Sequence, residues 1–396
     1  MVAQNSIASV VLLEGTYADE LINGTSNSDL IRGLAGSDTI HAGKGNDTLF
    51  GGSGDDIIYT GEGTDIVFDG AGADIVFLQG AGTIYAGNDL QPGNTFIAID
   101  YSNTGSQELR YNAEALQLTA DLAEGSIQTE FGIDIVSGFD VLIFNIQGEL
   151  KIQGNERDET LRFSADHGGV FGSGGNDLLV GLSQGSYFID GGSGNDTIRS
   201  GAADFGQGRG GTGNDLIFGG RGVQDFEGGT GNDTIHAKAG NDALRGNDGN
   251  DILYGGDGGD ILIGDEGNDK LCGGDGGDSF DCNDGADTVF GGDGQDSFRI
   301  YFGYGKTPSG TVIRDFRPSE GETLSLYAFP IAGGPLVPMY FNGTDSFNHV
   351  AGEVRYTPIS GKVVLQCDVD GDGRADFSIK LLGLASIDAN DLIFGA

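Results

Sequence analysis

The sequence predicts an all-β chain built as a parallel solenoid, a β-roll or β-helix. Three observations carry that prediction. In GNDILYGGDGGDILIGDEGNDKLCGGDGGD, starting at Gly249, aspartates recur every nine residues at Asp251, Asp260, Asp269 and Asp278. Two residues after each comes one large apolar side chain, Leu253, Leu262, Leu271 or Phe280. Glycine fills nearly half of the remaining positions. The unit is GGxGxD followed by x-U-x, where U is apolar; the acid is its sixth residue and the apolar side chain its eighth.

The unit recurs in two blocks. The first places Asp29, Asp38, Asp47, Asp56, Asp65 and Asp74 nine apart, with Glu20 one period earlier as a degenerate opening copy. The second runs without interruption through Asp233, Asp242, Asp251, Asp260, Asp269, Asp278, Asp287 and Asp296. Before it, Asp177, Asp196 and Asp215 are nineteen apart, which implies two units per step, one of them degenerate, and one extra residue. Self-similarity at a fixed period over more than three copies is the signature of a solenoid. The expected domains are 1–86 (first block), 87–160 (non-repeat β-helical coils or an insertion), 161–300 (second block) and 301–396 (a β-rich C-terminal cap).

Each unit is one short strand and one turn. The x-U-x part, such as Ile252-Leu253-Tyr254, is the strand with its middle side chain inward. The glycines form the turn, whose torsions resist a Cβ. Two units close one coil. Leu253, Leu271 and Val289 then stack on one sheet, and Leu262, Phe280 and Phe298 on the other. One apolar side chain per strand makes a thin core, so burial alone stabilises it weakly.

Composition excludes several classes. Glycine is 75 of 396 residues but has no period of three, so collagen is excluded. Sixty acids against twenty bases give a formal charge of -40. That charge opposes a nucleic-acid partner and needs counterions in a compact state. The acids keep register with Leu, Ile, Val and Phe, unlike a disordered acidic tail. No apolar run has the length of a membrane-spanning helix. The first residues, MVAQNSIASVVLLEGTYADE, do not read as a cleavable signal peptide. Cys272, Cys282 and Cys367 form no disulfide framework, although spacing alone leaves a Cys272–Cys282 bridge open.

Stacking brings each turn over the one eighteen residues away, so Asp251 and Asp269 share one edge, Asp260 and Asp278 the other. Carboxylates stacked at strand spacing, about 4.8 Å, repel unless a cation lies between them. Carboxylate and turn-carbonyl oxygens are the ligands calcium prefers; magnesium asks for a smaller octahedron. Zinc would ask for His or Cys, and His41, His167, His236 and His349 are scattered singly as ordinary surface or loop histidines. Several calcium ions are expected. The unit resembles the calcium-binding nonapeptide of the RTX family, and the resemblance covers about half of the chain.

Two segments differ in texture. Residues 87 to 160, including TFIAIDYSNTGSQELRYNAEALQLTADLAEG, resemble wider β-helical coils between RTX blocks, with an independent insertion as the alternative. After Phe298 the rhythm stops, and alternation at Lys362 to Gln366 and Phe377 to Leu381 reads as antiparallel strand. This tail resembles the C-terminal domain of the serralysin metalloproteases at Ile313 to Phe316, Glu353 to Tyr356, Asp368 to Phe377, and Asp391 to Phe394. The resemblance implies export through a type I secretion apparatus on an uncleaved C-terminal signal, and so a secreted, extracellular or cell-surface location. Gly395, Ala396 and Cys367 depart from the family pattern. Within the tail, Asp368, Asp370 and Asp372 have the spacing of a calcium loop, with Asp376 at its ninth position. Ile379 stands where a bidentate Glu belongs, so a hydrogen-bonded aspartate turn is the other reading.

No catalytic constellation stands out. HExxH is missing, so the serralysin resemblance transfers the tail only, and there is no G-x-S-x-G elbow. Two other functions stay open: a surface-layer or adhesion module, and a carbohydrate-active β-helical enzyme working on an acidic polysaccharide through a non-repeat acid such as Asp100 or Asp134. The outward positions of the first block are strongly apolar at Ile57 and Tyr59, Ile66 and Phe68, and Ile75 and Phe77. They read either as strand propensity or as a docking face for the middle segment, another subunit or an apolar surface.

Overall fold

A computed structural model describes residues 10–79, 81–86, 95–99, 107–113, 117–122, 125–129, 133–137, 141–146, 148–182, 185–201, 205–302, 310–328 and 337–394. The chain divides into two compact units, Met1–Gly185 and Ser186–Ala396.

In Ser186–Ala396 the repeats stack as parallel coils of two strands each. Leu253 pairs with Leu271 and Leu271 with Val289 in one sheet. Leu262 pairs with Phe280 and Phe280 with Phe298 in the other. All six side chains are fully buried, as the period requires. The coil that carries Asp196 to Asp215 holds the extra residue, since Tyr187 pairs with Gly206 and Thr197 with Leu216. The next coil returns to eighteen, with Leu216 opposite Thr234.

The strands are longer than the expected x-U-x triplet. Ile252–Asp257 and Lys270–Asp275 run on through both glycines, pairing again at Gly256↔Gly274 and Asp257↔Asp275. The second position of the unit has a left-handed φ, so the ladder skips one residue and resumes, in the manner of a bulge. Non-glycine residues also occupy this position, with Leu34 at φ 80°, Lys238 at 85° and Asn247 at 73°. The bend is therefore confined to the residues just before each acid.

The C-terminal part adds an antiparallel meander of Glu353–Ile359, Lys362–Asp368 and Phe377–Leu382. It is attached by Val312–Ile313, which lies parallel to both Thr288–Asp293 and Phe377–Leu382. Leu392–Phe394 pairs in parallel with Thr323–Ala328.

In Met1–Gly185, Asp29–Ala35, Thr48–Ser53 and Thr64–Ala71 form one sheet over Ile31, Leu49 and Val67. Thr39–Lys44, Ile57–Glu62 and Ile75–Gln79 form the other over Ile40, Ile58 and Val76. The middle strands join these same sheets. Gln107–Ala113 lies between Ala81–Ala86 and Val141–Ile146. Thr95–Ile99 pairs with Ile75–Gln79 on one side and Ile133–Ser137 on the other. From Ile133–Ser137 an antiparallel step through Ser126–Thr129 leads to Gln117–Asp121. Leu142, Ile143 and Phe144 are all buried, giving these coils a richer apolar core. Asp100 lies outside the described residues. Among those described, no helix is long and apolar enough to cross a membrane.

Candidate metal centre

Each turn delivers its acid to the edge of a coil, and the acids form ladders. The backbone N–H of Asp260 donates to Asp278 Oδ1 at 2.8 Å, and that of Asp278 to Asp296 Oδ1 at 2.9 Å. On the opposite edge Asp233, Asp251 and Asp269 donate in turn to Asp251, Asp269 and Asp287 at 2.8, 2.9 and 3.0 Å. Asp196 and Asp215 begin this second ladder, and Asp242 belongs to the first. In Met1–Gly185 one ladder runs Glu20, Asp38, Asp56, Asp74 and the other Asp29, Asp47, Asp65. Within each ladder the preceding rung thus supplies one backbone donor per acid, while the opening Glu20 and Asp29 accept from Thr16 and Thr25.

The second oxygen is the informative one. Oδ2 of Asp38, Asp47, Asp56, Asp65, Asp215, Asp233, Asp242, Asp251, Asp260, Asp269, Asp278 and Asp296 is buried and has no hydrogen-bond partner. A buried polar atom left in this way costs about 1–3 kcal/mol, and more when charged. In most of these turns the oxygen points at the first glycine of its own unit; Asp47, Asp65 and Asp242 have Ala42, Thr60 and Ala237 there. A Cβ on Gly255 would lie 2.2 Å from Asp260 Oδ2 and 2.8 Å from the Gly273 carbonyl oxygen; one on Gly273 would lie 2.1 Å from Asp278 Oδ2 and 2.6 Å from the Gly291 carbonyl. Carboxylate and carbonyl oxygens from successive coils therefore converge beside a residue that has no side chain.

Burial dominates the electrostatics. It pushes the carboxyls of Asp65, Asp215, Asp251, Asp278 and Asp287 up to about 7, and those of Asp56, Asp242 and Asp269 to about 6. The backbone N–H from the previous rung opposes the shift without cancelling it. Near neutrality such a carboxyl needs either a proton or a cation. An all-oxygen set of carboxylates and carbonyls suits a hard divalent ion.

Glu159 and Gln224 are rungs that sequence reasoning missed. Glu159 is buried, donates its N–H to Asp177 Oδ1 at 2.7 Å, and has Gly154 five residues before it. Its carboxyl is pushed up to about 7, chiefly by burial. The signal was present as that glycine plus Leu161 two residues after the acid. Gln224 takes an acid position as an uncharged rung, donating to Asp242 Oδ1 at 2.7 Å.

The tail loop is different. Asp368, Asp370 and Asp376 bring one carboxylate oxygen each within 4.8 Å of one another. Asp368, however, accepts from Gly371 and Gly373 N–H at 2.7 and 2.8 Å, and Asp376 from Val369 at 2.7 Å. Asp372 accepts from Arg374 N–H at 2.8 Å. The loop holds itself with its own amides.

The cysteines are free. His41 stacks on Tyr59 at 4.6 Å and Tyr59 on Phe77 at 4.7 Å along the outer face of the first block. The second block has its own outward stack, Phe218, His236 and Tyr254.

Parallel coils edged by carboxylate ladders define a cation-binding β-roll. A family model described as the RTX calcium-binding nonapeptide repeat (4 copies) matches residues 14–49, 23–58, 50–80, 188–204, 208–223, 227–262, 245–280 and 263–298. The matched repeats are RTX calcium-binding nonapeptides. No curated protein matches the chain.

Proposed function

We propose that calcium binding and folding of this chain are a single event, and that it takes place outside the cell. The carrying observation is the row of buried Oδ2 atoms that accept no hydrogen bond. Without an ion the folded rungs hold desolvated carboxyls over a core of one apolar side chain per strand, while the glycine-rich turns keep high chain entropy when unfolded. An ion that binds only the folded geometry adds its binding free energy to folding. The ligand acids of this proposal are the sixth-position aspartates of both blocks.

Circular dichroism during calcium titration of chelator-stripped protein tests the coupling. A cooperative gain of β signal is expected between roughly 10⁻⁴ and 10⁻³ M, the range of extracellular modules. Magnesium at the same concentration should do much less. A metal-free chain with the full β signal and no calcium response would sink the proposal.

The extracellular setting draws on the serralysin-like tail, whose final strand Leu392–Phe394 follows the turn that starts at Asp388. Removing Asp388 to Ala396 should retain the protein in cells that express a matched type I exporter. Unchanged secretion would refute the C-terminal signal.

A further inference from the structure

One rung in Ser186–Ala396 is built unlike the rest. Ser297 pairs with Thr323 and Phe298 with Leu324, which sets Glu322 in the acid position of the coil after Asp296. The Thr323 N–H donates to the Asp296 carbonyl at 2.9 Å, the bond that joins rungs elsewhere in the block. The Glu322 side chain has no exposed surface. Five residues before an acid the repeats place glycine in most turns and Ala42, Thr60, Asp69, Ala237 or Cys282 in others. Five residues before Glu322 stands Arg317.

Arg317 turns its charge inward. Its backbone N–H donates to Glu322 Oε2 at 2.5 Å and its Nε to Oε1 at 3.2 Å. The guanidinium also lies 3.6 Å from Glu320 and 3.8 Å from Asp293. Its Nη2 is buried without a hydrogen-bond partner, as is Asp296 Oδ2 on the preceding rung. Burial raises the Asp296 carboxyl, and the Arg317 charge acts against that rise. One cation thus acts on two successive rungs.

We propose that Arg317 is a built-in counter-ion: on the Glu322 rung its guanidinium takes the place that a divalent ion takes on the others. A planar fork suits a carboxylate, and a guanidinium stays charged at any pH the protein meets. Metal dependence of the ladder therefore stops at Asp296, and the junction with the C-terminal strands carries its own positive charge. The inference rests on the reading of the other rungs as calcium sites.

Two measurements on the full chain test it. The first counts calcium by equilibrium dialysis. Arg317→Gly restores the usual glycine and should bind one more ion than the wild type, whereas Arg317→Gly with Glu322→Gln should not. A wild type that binds no calcium overturns the ladder reading. A wild type that binds calcium, with no gain in Arg317→Gly, overturns the stand-in. The second uses hydrogen exchange of the Thr323–Ala328 amides in saturating calcium and does not depend on Arg317→Gly folding. Arg317→Gln should lower protection about tenfold, and adding Glu322→Gln should restore most of it, because paired charges couple. A double variant as unprotected as the single one would refute the partnership.

Discussion

The repeat coils and the C-terminal meander of Ser186–Ala396 bury carboxylates in opposite ways. In the meander, Glu353 accepts from the Asn348 N–H at 2.6 Å, the Asn348 side chain at 2.9 Å and the Asn342 side chain at 3.3 Å. Asp368 is held by two glycine amides. Strands there bury Val363, Leu365, Ile379 and Leu381 by simple alternation. In the coils Asp215, Asp233, Asp242, Asp251, Asp260, Asp269, Asp278 and Asp296 each receive one amide from the preceding rung and leave the other oxygen bare. The meander answers its buried charge with its own N–H groups; the coils leave theirs to something the chain does not contain. Burying an acid is thus not by itself a metal site. The bare oxygen makes the difference.

Three results would break or sharpen this contrast. The largest is expected on chelation. Hydrogen exchange should become fast in Ile252–Asp257, Ile261–Glu266 and Lys270–Asp275, and stay slow in Lys362–Asp368 and Phe377–Leu382. Equal loss in both regions would erase the distinction.

Next comes a backbone test within one turn. Gly258 has φ +131°, and a Cβ there would lie 1.6 Å from the Gly240 carbonyl oxygen. At neighbouring Gly259 the nearest atom would be at 3.2 Å. Gly258→Ala should cost about 3 kcal/mol or more of calcium-loaded stability, from strain plus steric conflict between coils. Gly259→Ala should cost less than about 1 kcal/mol. Denaturant melts in excess calcium would separate the two, and equal losses would mean the coils are not stacked this closely.

The smallest effect is on pH. Eight ladder carboxyls, those of Asp56, Asp65, Asp215, Asp242, Asp251, Asp269, Asp278 and Asp287, are raised in the fold to about 6 or 7 from an ordinary 3.8. The folded state therefore binds more protons than the unfolded one. This contribution is fully present below about pH 4 and is lost as pH rises through 6 to 7. Metal-free protein should accordingly gain β signal when acidified from neutrality to pH 5, while the calcium midpoint should rise as protons compete. A metal-free signal that falls on acidification would contradict the assigned burial.

Much of the repeat was legible because one period sets both the core and the ladders. Once Asp251, Asp260 and Asp269 are nine apart, the pairing of Leu253 with Leu271 and the two acid edges follow from a two-strand coil. Less regular parts carried weaker signals. Glu159 breaks the aspartate pattern, although Gly154 and Leu161 keep the frame. The continuation of each strand through its glycines was hidden, because glycine reads as a turn while here its left-handed φ lets pairing resume. Arg317 was out of reach: Glu322 follows Asp296 after twenty-six residues rather than eighteen, so only the pairing of Ser297 with Thr323 reveals it as a rung. In the tail, the alternation around Val363 and Ile379 predicted the antiparallel pair directly. The Asp368 loop could not be decided from spacing, since an ion-binding loop and one closed by its own amides share the same letters.

The two-strand coil also limits how such a chain can change length. Removing nine residues from the uninterrupted block shifts every later strand onto the opposite sheet. The repeats themselves would tolerate the exchange, for both sheets bury the same kind of side chain. The tail would not, because Val312–Ile313 joins the sheet of Val289 and Thr323–Ala328 joins that of Phe298. Duplication or loss must then proceed in whole coils, so the gene can drift by fifty-four nucleotides at a time but not by half that number.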